Sequence, residues 1–364
     1  MADTVRESGK PGISGRVAVL VPAYNEESVL DRTLKAAVRE VGAENVYVAD
    51  DCSRDHTRRI AAFWTGGNVY TAPENQGKAR TLKATIDHFA LAGRYEGIFI
   101  LDADTWLAPG HIAALEPELK PGVAFVIGRI ESQRVAWNFW VAYRGFVMWL
   151  YNAIIRTPQN VLNVINVLPG SSVLLSSEAV KGIDWDRAAK LVLDDFSMLC
   201  DVWYGRLGEI RYLHDTPPAL VAEPLTFGAY LKQTYGRWWP GIWQTMRDRR
   251  MFFRTDWFSV TNNLQILSWV WSAAMPLVLI PFLLWLIGTS WWWLVGGMIL
   301  TYLAYMYVLG GLYAYHKRRP AALVLLPGFL ALAYVESVLF ALAYFRSFRL
   351  KEGGRWTSPE RSRG

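Results

Sequence analysis

Gly97-Ile98-Phe99-Ile100-Leu101-Asp102-Ala103-Asp104 is an apolar run that stops abruptly at two carboxylates one residue apart. Side chains alternate across a strand, so Asp102 and Asp104 share a face if the extended geometry persists to the end of the run. Two acids on one side of a strand end repel each other unless solvent screens them or a divalent cation lies between them. A hard cation takes carboxylate oxygens and completes its shell with substrate phosphates. Taken alone, the pair reads first as a strand followed by an acidic turn, so the flanking sequence decides.

Working outward, the same pattern recurs. Val17-Ala18-Val19-Leu20-Val21-Pro22 is a β-branched run followed by Ala23-Tyr24-Asn25-Glu26-Glu27. Asn45-Val46-Tyr47-Val48-Ala49 ends in Asp50-Asp51-Cys52-Ser53-Arg54-Asp55, and Asn68 to Ala72 is a third candidate strand. Helical patterns separate these runs, through Leu30, Leu34 and Val41, through Ile60 and Phe63, and through Leu82, Ile86 and Phe89. Strand and helix alternating at short intervals imply βαβ units and a parallel sheet, whose ligands lie outside the carboxyl ends of the strands. Tyr24-Asn25-Glu26, Asp50-Asp51 and Asp102-Ala103-Asp104 all fall at that rim. Gly122 to Gly128 and Asn166 to Leu175 are further strand candidates.

Composition adds a second region. The 364-residue chain carries 18 tryptophans and a net charge of +6. Indoles settle at membrane interfaces. Trp257 to His316 contains no Asp, Glu, Lys or Arg, so the charge belongs to the flanks and to the soluble part, where it suits a cytoplasmic face and anionic substrates, not a nucleic-acid surface. Cys52 and Cys200 suggest reduced thiols in a reducing compartment.

Pro22-Ala23-Tyr24-Asn25-Glu26, Asp50-Asp51-Cys52-Ser53-Arg54-Asp55, Asn75-Gln76-Gly77-Lys78-Ala79 and Asp102-Ala103-Asp104-Thr105, in this order, resemble the motifs of family 2 glycosyltransferases. The resemblance spans roughly residues 15–255. It implies an inverting enzyme with a GT-A fold, a Rossmann-like α/β domain with a mostly parallel sheet, acting on a nucleotide-sugar donor, with UDP the expected nucleotide. It implies nucleotide contacts from Pro22, Tyr24, Glu26, Asp50, Asp51, Lys78 and Asp102. It also implies Mg²⁺ or Mn²⁺ held by Asp102 and Asp104. A metal and a nearby cation, here Lys78, stabilise the charge that a departing diphosphate gains; an exposed lysine starting a helix is an equally open reading of Lys78.

Inversion requires a base for the acceptor hydroxyl. Where the family has Thr-Glu-Asp, this chain has Leu193-Asp194-Asp195, which assigns the base to Asp195; both acids also suit a helix N-terminus. Gly170 and Ser171 would let the acceptor approach closely, although a strand bulge explains them as well. Gln233-Thr234-Tyr235-Gly236-Arg237-Trp238 is similar to the Gln-x-x-Arg-Trp signature of membrane-integrated members, which assigns Gln233, Arg237 and Trp238 to diphosphate and acceptor. Here Gln233 stands four residues before Arg237 rather than three.

The expected organisation is a disordered tail over 1–15, a GT-A domain over 16–256, a membrane region over 257–346 and a basic tail over 347–364. The aromatic segment over about 135–155, interrupted by Arg144, is read as an interfacial amphipathic helix or a core helix. Arg247, Arg249, Arg250 and Arg254 precede the charge-free stretch, which places the catalytic domain on the cytoplasmic side of a cell inner membrane. Spans are expected near 264–287 and 291–313, with a Gly288-Thr289-Ser290 turn between. The segment 321–345 is either a third span or one broken at Pro327-Gly328; a span would turn Glu336 toward protein or water.

The acceptor favoured by so few spans is a membrane lipid or lipid-bound glycan. A processive polysaccharide synthase would need a homo-oligomer to build a channel. A non-catalytic scaffold is disfavoured because Asp50, Asp102, Asp104 and Asp195 are all present.

Overall fold

The computed structural model describes residues 15–133, 138–287 and 292–350. The expected N-terminal tail up to residue 14, the Gly288-Thr289-Ser290 turn, the start of the aromatic segment and the basic tail from residue 351 lie outside the described residues. The described chain divides into two units, one built from 15–133 and 156–222, the other from 138–155 and 223–350.

The first unit is α/β. Its strands are β1 (Val17–Ala23), β2 (Val46–Asp50), β3 (Val69–Thr71), β4 (Gly97–Leu101), β5 (Thr105–Leu107), β6 (Val123–Ile127), β7 (Ile130–Ser132), β8 (Ser172–Ser176), β9 (Glu209–Tyr212) and β10 (Ala219–Val221). Seven strands form the central sheet in the order β3-β2-β1-β4-β8-β6-β9. All neighbours are parallel except β8, which runs against both β4 and β6. The remaining three make a small sheet in the order β5-β10-β7. Val19, Val21, Val48, Phe99 and Leu101 are buried in the core with Leu30, Leu34 and Ala37 of the helix Leu30–Val41. Strands buried on both faces explain the continuous apolar runs. Pro22 is tolerated inside a central strand because pairing of β1 with β4 stops at Leu20 opposite Ile100.

Register sets the rim. Ala23 lies opposite Asp50, so β1 and β2 end level. Because β8 is antiparallel, its first residue, Ser172, lies opposite Leu101, the last residue of β4. The segment entering β8 therefore arrives where β4 ends. The strand expected over Asn166 to Leu175 begins only at Ser172, and residues 164–169 are irregular. Pro169 has no N–H for a ladder, and its carbonyl instead accepts the Ser172 amide at 3.2 Å.

The second unit is helical. It contains Phe139–Leu150, Phe227–Gln233, Trp239–Asp248, Trp257–Ile287, Trp292–Lys317 and Ala321–Ser347. Ala142, Tyr143 and Phe146 are buried with Tyr230, Tyr313, Leu326 and Phe329. Phe146 stacks on Phe329 with ring centroids 5.6 Å apart. Among the described residues one helix, Ala321–Ser347, is long and apolar enough to cross a membrane by length and composition. Of the two readings left open there, it follows the unbroken one, passing through Pro327 as a single helix. Long apolar helices tolerate such a proline where neighbouring groups satisfy the freed carbonyl, and Gly328 leaves room for the Phe139 ring, which a Cβ would meet at 2.9 Å. Glu336 faces protein and accepts a hydrogen bond from the Tyr143 hydroxyl at 2.6 Å.

Candidate active site

The loops after β1 and β2 are tied to each other. The Asn25 amide donates to Ser53 Oγ at 2.9 Å, and the Arg54 amide returns a bond to Asn25 Oδ1 at 2.9 Å. The Glu26 amide donates to Thr57 Oγ1 at 2.8 Å. Glu27 and Asp55 complete the seam: the Glu27 amide donates to Asp55 Oδ2 at 3.2 Å and the His56 amide to Glu27 Oε2 at 3.0 Å. Asn25 and Cys52 both take positive φ, 54° and 65°, conformations that asparagine adopts more readily than most residues. Tyr24 is half-buried, Pro22 is buried within β1, and Glu26 is buried.

The two acids after β2 have different surroundings. Asp51 is buried and its oxygens are engaged by three donors: the Gln76 amide at 2.9 Å, the Gly77 amide at 2.9 Å and Thr81 Oγ1 at 2.8 Å. It fastens the loop that launches the helix Lys78–His88, where Gly77 has φ 92°. Asp50 is also buried; its Oδ1 accepts the Ser53 amide at 3.0 Å, and its Oδ2 has no hydrogen-bond partner. Of the two, Asp50 has the acceptor left for a ligand's N–H or hydroxyl. Thr81, whose hydroxyl helps hold Asp51, carried no signal in the sequence.

At the end of β4 the chain turns sharply. The Thr105 amide donates to the Asp102 carbonyl at 3.0 Å, so the extended geometry that would align Asp102 with Asp104 ends at Leu101. Ala103 is buried, while Asp102 and Asp104 are both half-buried, so the two acids stay at the surface of the rim even across a turn. Among the described residues no cluster of three or more His, Cys, Asp or Glu is arranged to hold a metal. Asp102 and Asp104 are hard oxygen donors that fit a cation whose remaining ligands come from phosphate and water.

Lys78 Nζ donates to Asp102 Oδ1 at 2.7 Å and to the Gly170 carbonyl at 3.2 Å. Burial would lower its pKa, but the charges of Asp102, Asp194 and Asp195 outweigh that and raise it. Lys78 is thus a fixed cation beside the acidic pair, not a solvated helix-start residue. The Asp102 amide donates to the Ser171 carbonyl at 2.9 Å, joining the ends of β4 and β8.

What approaches Gly170 is Asp195. A Cβ on Gly170 would lie 2.4 Å from Asp195 Oδ2, so only glycine allows this contact. Asp194 and Asp195 open the helix Asp194–Gly205. Asp195 Oδ1 accepts the Phe196 amide at 2.7 Å. Burial, and then the like charge of Asp194, push the Asp195 carboxyl up to about 6, against the pull of Lys78 and the Phe196 amide. Asp194 Oδ2 is buried without a hydrogen-bond partner. Asp194, which the sequence offered only as a helix N-terminal acid, thus shares the charge of the site. The cluster as a whole can hold a polyanion against Lys78 and take a proton at Asp195.

Gln233, Arg237 and Trp238 lie in the second unit. The stretch Thr234–Trp238 between the helices Phe227–Gln233 and Trp239–Asp248 is a π-helical turn. A π-turn accommodates one more residue than an α-turn, which is where the extra residue between Gln233 and Arg237 goes. Pro240 follows, and its ring disfavours an ordinary α-turn behind it. Arg237 is exposed. Gln233 Oε1 is buried without a hydrogen-bond partner. The Arg144 guanidinium lies 5.2 Å from the Trp238 ring centroid and pairs with Glu223 at 3.0 Å. The charge that interrupts the aromatic segment is therefore a buried ion pair.

Residues 18–183 match the family model of glycosyl transferase family 2. Over that stretch the chain is similar to family 2 glycosyltransferases. Among solved structures, the mannosyltransferase PcManGT from Pyrobaculum calidifontis, determined with GDP-Man and Mn²⁺, is 16% identical, with a TM-score of 0.56 over 88% of this chain and 87% of that one. The glucosyl-3-phosphoglycerate synthase of Mycobacterium tuberculosis is 18% identical over 64% of this chain and 79% of that one, with a TM-score of 0.41. No curated protein matches the chain. The first of these likenesses covers most of the chain and shows a shared fold, in keeping with the α/β sheet of the first unit.

Proposed function

We propose that this glycosyltransferase transfers a sugar, with inversion, from a UDP-sugar to a membrane lipid or lipid-bound glycan. The observation that carries the proposal is the cluster of Lys78, Asp102 and Gly170 with Asp195. It sets a fixed cation beside an acidic pair, and a half-buried carboxylate of raised pKa within van der Waals reach of the same backbone.

Asp50 Oδ2 accepts from the base or ribose of the donor, with Tyr24 and Glu26 in the facing loop. Lys78 neutralises charge on the diphosphate as the glycosidic bond breaks, without reorganising at the moment of reaction. Asp102 and Asp104 hold a divalent cation, Mg²⁺ or Mn²⁺, which when bound supplies further positive charge to the leaving diphosphate. Asp195 takes the proton of the attacking hydroxyl; a pKa near the working pH suits a base that must be ionised yet still basic. The family resemblance assigns Gln233, Arg237 and Trp238 to the acceptor and the diphosphate.

The membrane reading rests on the helices of the second unit. Ala321–Ser347 would span; the expected segment 264–287 lies in the helix Trp257–Ile287 and residues 292–313 lie in the helix Trp292–Lys317, and these helices expose Leu277, Trp285, Leu300 and Val308. Arginines before Trp257 put the catalytic domain on the cytoplasmic face.

The test uses purified full-length protein, Mn²⁺ and panels of UDP- and GDP-sugars, reading nucleoside diphosphate release and product mass. The expected result is donor turnover with a lipid carrying one sugar. Asp195→Asn should retain donor binding and lose transfer. Absence of donor binding across both panels would overturn the reading; a polymeric product would overturn the acceptor assignment alone.

A further inference from the structure

The second unit holds a cavity of about 490 Å³ lined by Ala314, Tyr315, His316 and Arg318. It lies where the helix Trp292–Lys317 ends and the helix Ala321–Ser347 is about to begin. Its polar lining is cationic and phenolic. His316-Lys317-Arg318-Arg319 are four basic residues in succession, within a stretch from 257 to 335 that holds no Asp or Glu.

Basic residues at a helix C-terminus ordinarily need no ligand to explain them, because they complement the exposed carbonyls there. Here the backbone already satisfies carbonyls of the last turn. The Arg319 amide donates to the Ala314 carbonyl at 2.9 Å, and the Arg318 amide to the Tyr315 carbonyl at 3.2 Å. His316 and Arg318 are both exposed and line the cavity, so their polar ends are available to it rather than committed to capping the helix. Arg318 also occupies the left-handed position that ends the helix, with φ 53°. Glycine is the usual residue there, so the backbone gives no reason for an arginine.

The surroundings suit the membrane boundary proposed above. Tyr315 is 81% exposed next to the cavity, and the Trp149 ring lies 6.2 Å from His316 and 5.6 Å from Tyr313. Amphipathic rings of this kind sit at headgroup level. Basic pockets between apolar helices on the cytoplasmic side take anionic headgroups.

We propose that His316 and Arg318 form a binding site for the phosphate of an anionic membrane-lipid headgroup. The guanidinium of Arg318 makes the charge-assisted bonds, His316 supplies a ring N–H, and the Tyr315 and Trp149 rings bound the headgroup level. The site is separate from the sugar-transfer chemistry, and it rests on the membrane reading given above.

Arg318→Gly makes the test sharp, because glycine suits φ 53° and takes the guanidinium away without straining the backbone. Full-length protein and R318G are incorporated into phosphatidylcholine vesicles. Association of spin-labelled phosphatidylglycerol is measured against spin-labelled phosphatidylcholine, with flotation as the control for insertion. The wild type should prefer phosphatidylglycerol, and R318G should lower that preference by about fivefold, the effect of one cation near an anionic surface. Equal association of the two labels with the wild type, or an undiminished preference in R318G, overturns the site. Displacement of the phosphatidylglycerol label by excess inorganic phosphate overturns the lipid as its source. Failure of both proteins to float with vesicles overturns instead the membrane reading beneath it.

Discussion

If Asp195 is the base, the acid limb of the pH profile belongs to it. Burial and Asp194 hold its carboxyl at about 6, and a base works only when ionised. The sign follows: transfer is lost as pH falls through about 6. The ionised fraction drops from about 0.99 at pH ~8 to about 0.09 at pH ~5, so kcat/KM should fall about elevenfold, whereas an ordinary aspartate with a pKa of about 3.9 would lose less than about a tenth. The parameter to follow is kcat/KM, which reports groups of the free enzyme, measured by nucleoside diphosphate release. Asp194→Asn removes the like charge and should move the limb to lower pH. Stability runs the other way. An acid whose folded pKa is raised destabilises the fold progressively as pH rises from its unfolded value of about 3.9 to about 6. Asp195→Asn should therefore raise Tm at neutral pH, with the gain bounded at about 3 kcal/mol. A profile flat between pH ~5 and pH ~8, or an acid limb unmoved by Asp194→Asn, would refute the assignment.

Three further substitutions probe the scaffold. Gly170→Ala puts a methyl 2.4 Å from Asp195 Oδ2; because the colliding atom ends a movable side chain, kcat should fall about 10²-fold, within the range for a misplaced base, while Tm stays nearly unchanged. Asp51→Ala strands the Gln76 and Gly77 amides and the Thr81 hydroxyl; denaturant unfolding should show a loss of about 3–5 kcal/mol. Arg144→Ala leaves Glu223, whose side chain is 2% exposed, without its cation at a cost of about 3–5 kcal/mol; Glu223→Gln in the same chain should recover part of that loss in thermal melts.

The alternating core was legible because strands buried on both faces write themselves as apolar runs with polar ends, as Val17–Ala23, Val46–Asp50 and Gly97–Leu101 do. Short strands such as Thr105–Leu107 and Ala219–Val221 were not, since three residues carry no period. The reversed direction of Ser172–Ser176 was also hidden, for direction is a property of pairing and leaves no mark on the strand's own residues. That reversal brings Gly170 to the rim, so its contact with Asp195 could not be read from either local motif. Asp50 and Asp51 look alike in sequence; only the donors converging on Asp51 separate anchor from free acceptor. The extra residue between Gln233 and Arg237 became intelligible once the turn holding it proved π-helical.

The seam between the loops after β1 and β2 bears on time as well as geometry. The amides of Asn25, Glu26, Glu27, Arg54 and His56 are each given to a side chain of the opposite loop. Neither loop can loosen alone, because opening one strips partners from the other. Hydrogen exchange in these loops should accordingly be slow, and should quicken in both together when Ser53 or Thr57 is changed, the signature of a single cooperative opening unit. Irregular backbone held this way enters binding with its entropy already lost, so a ligand arriving there meets a surface that does not have to wait to be shaped.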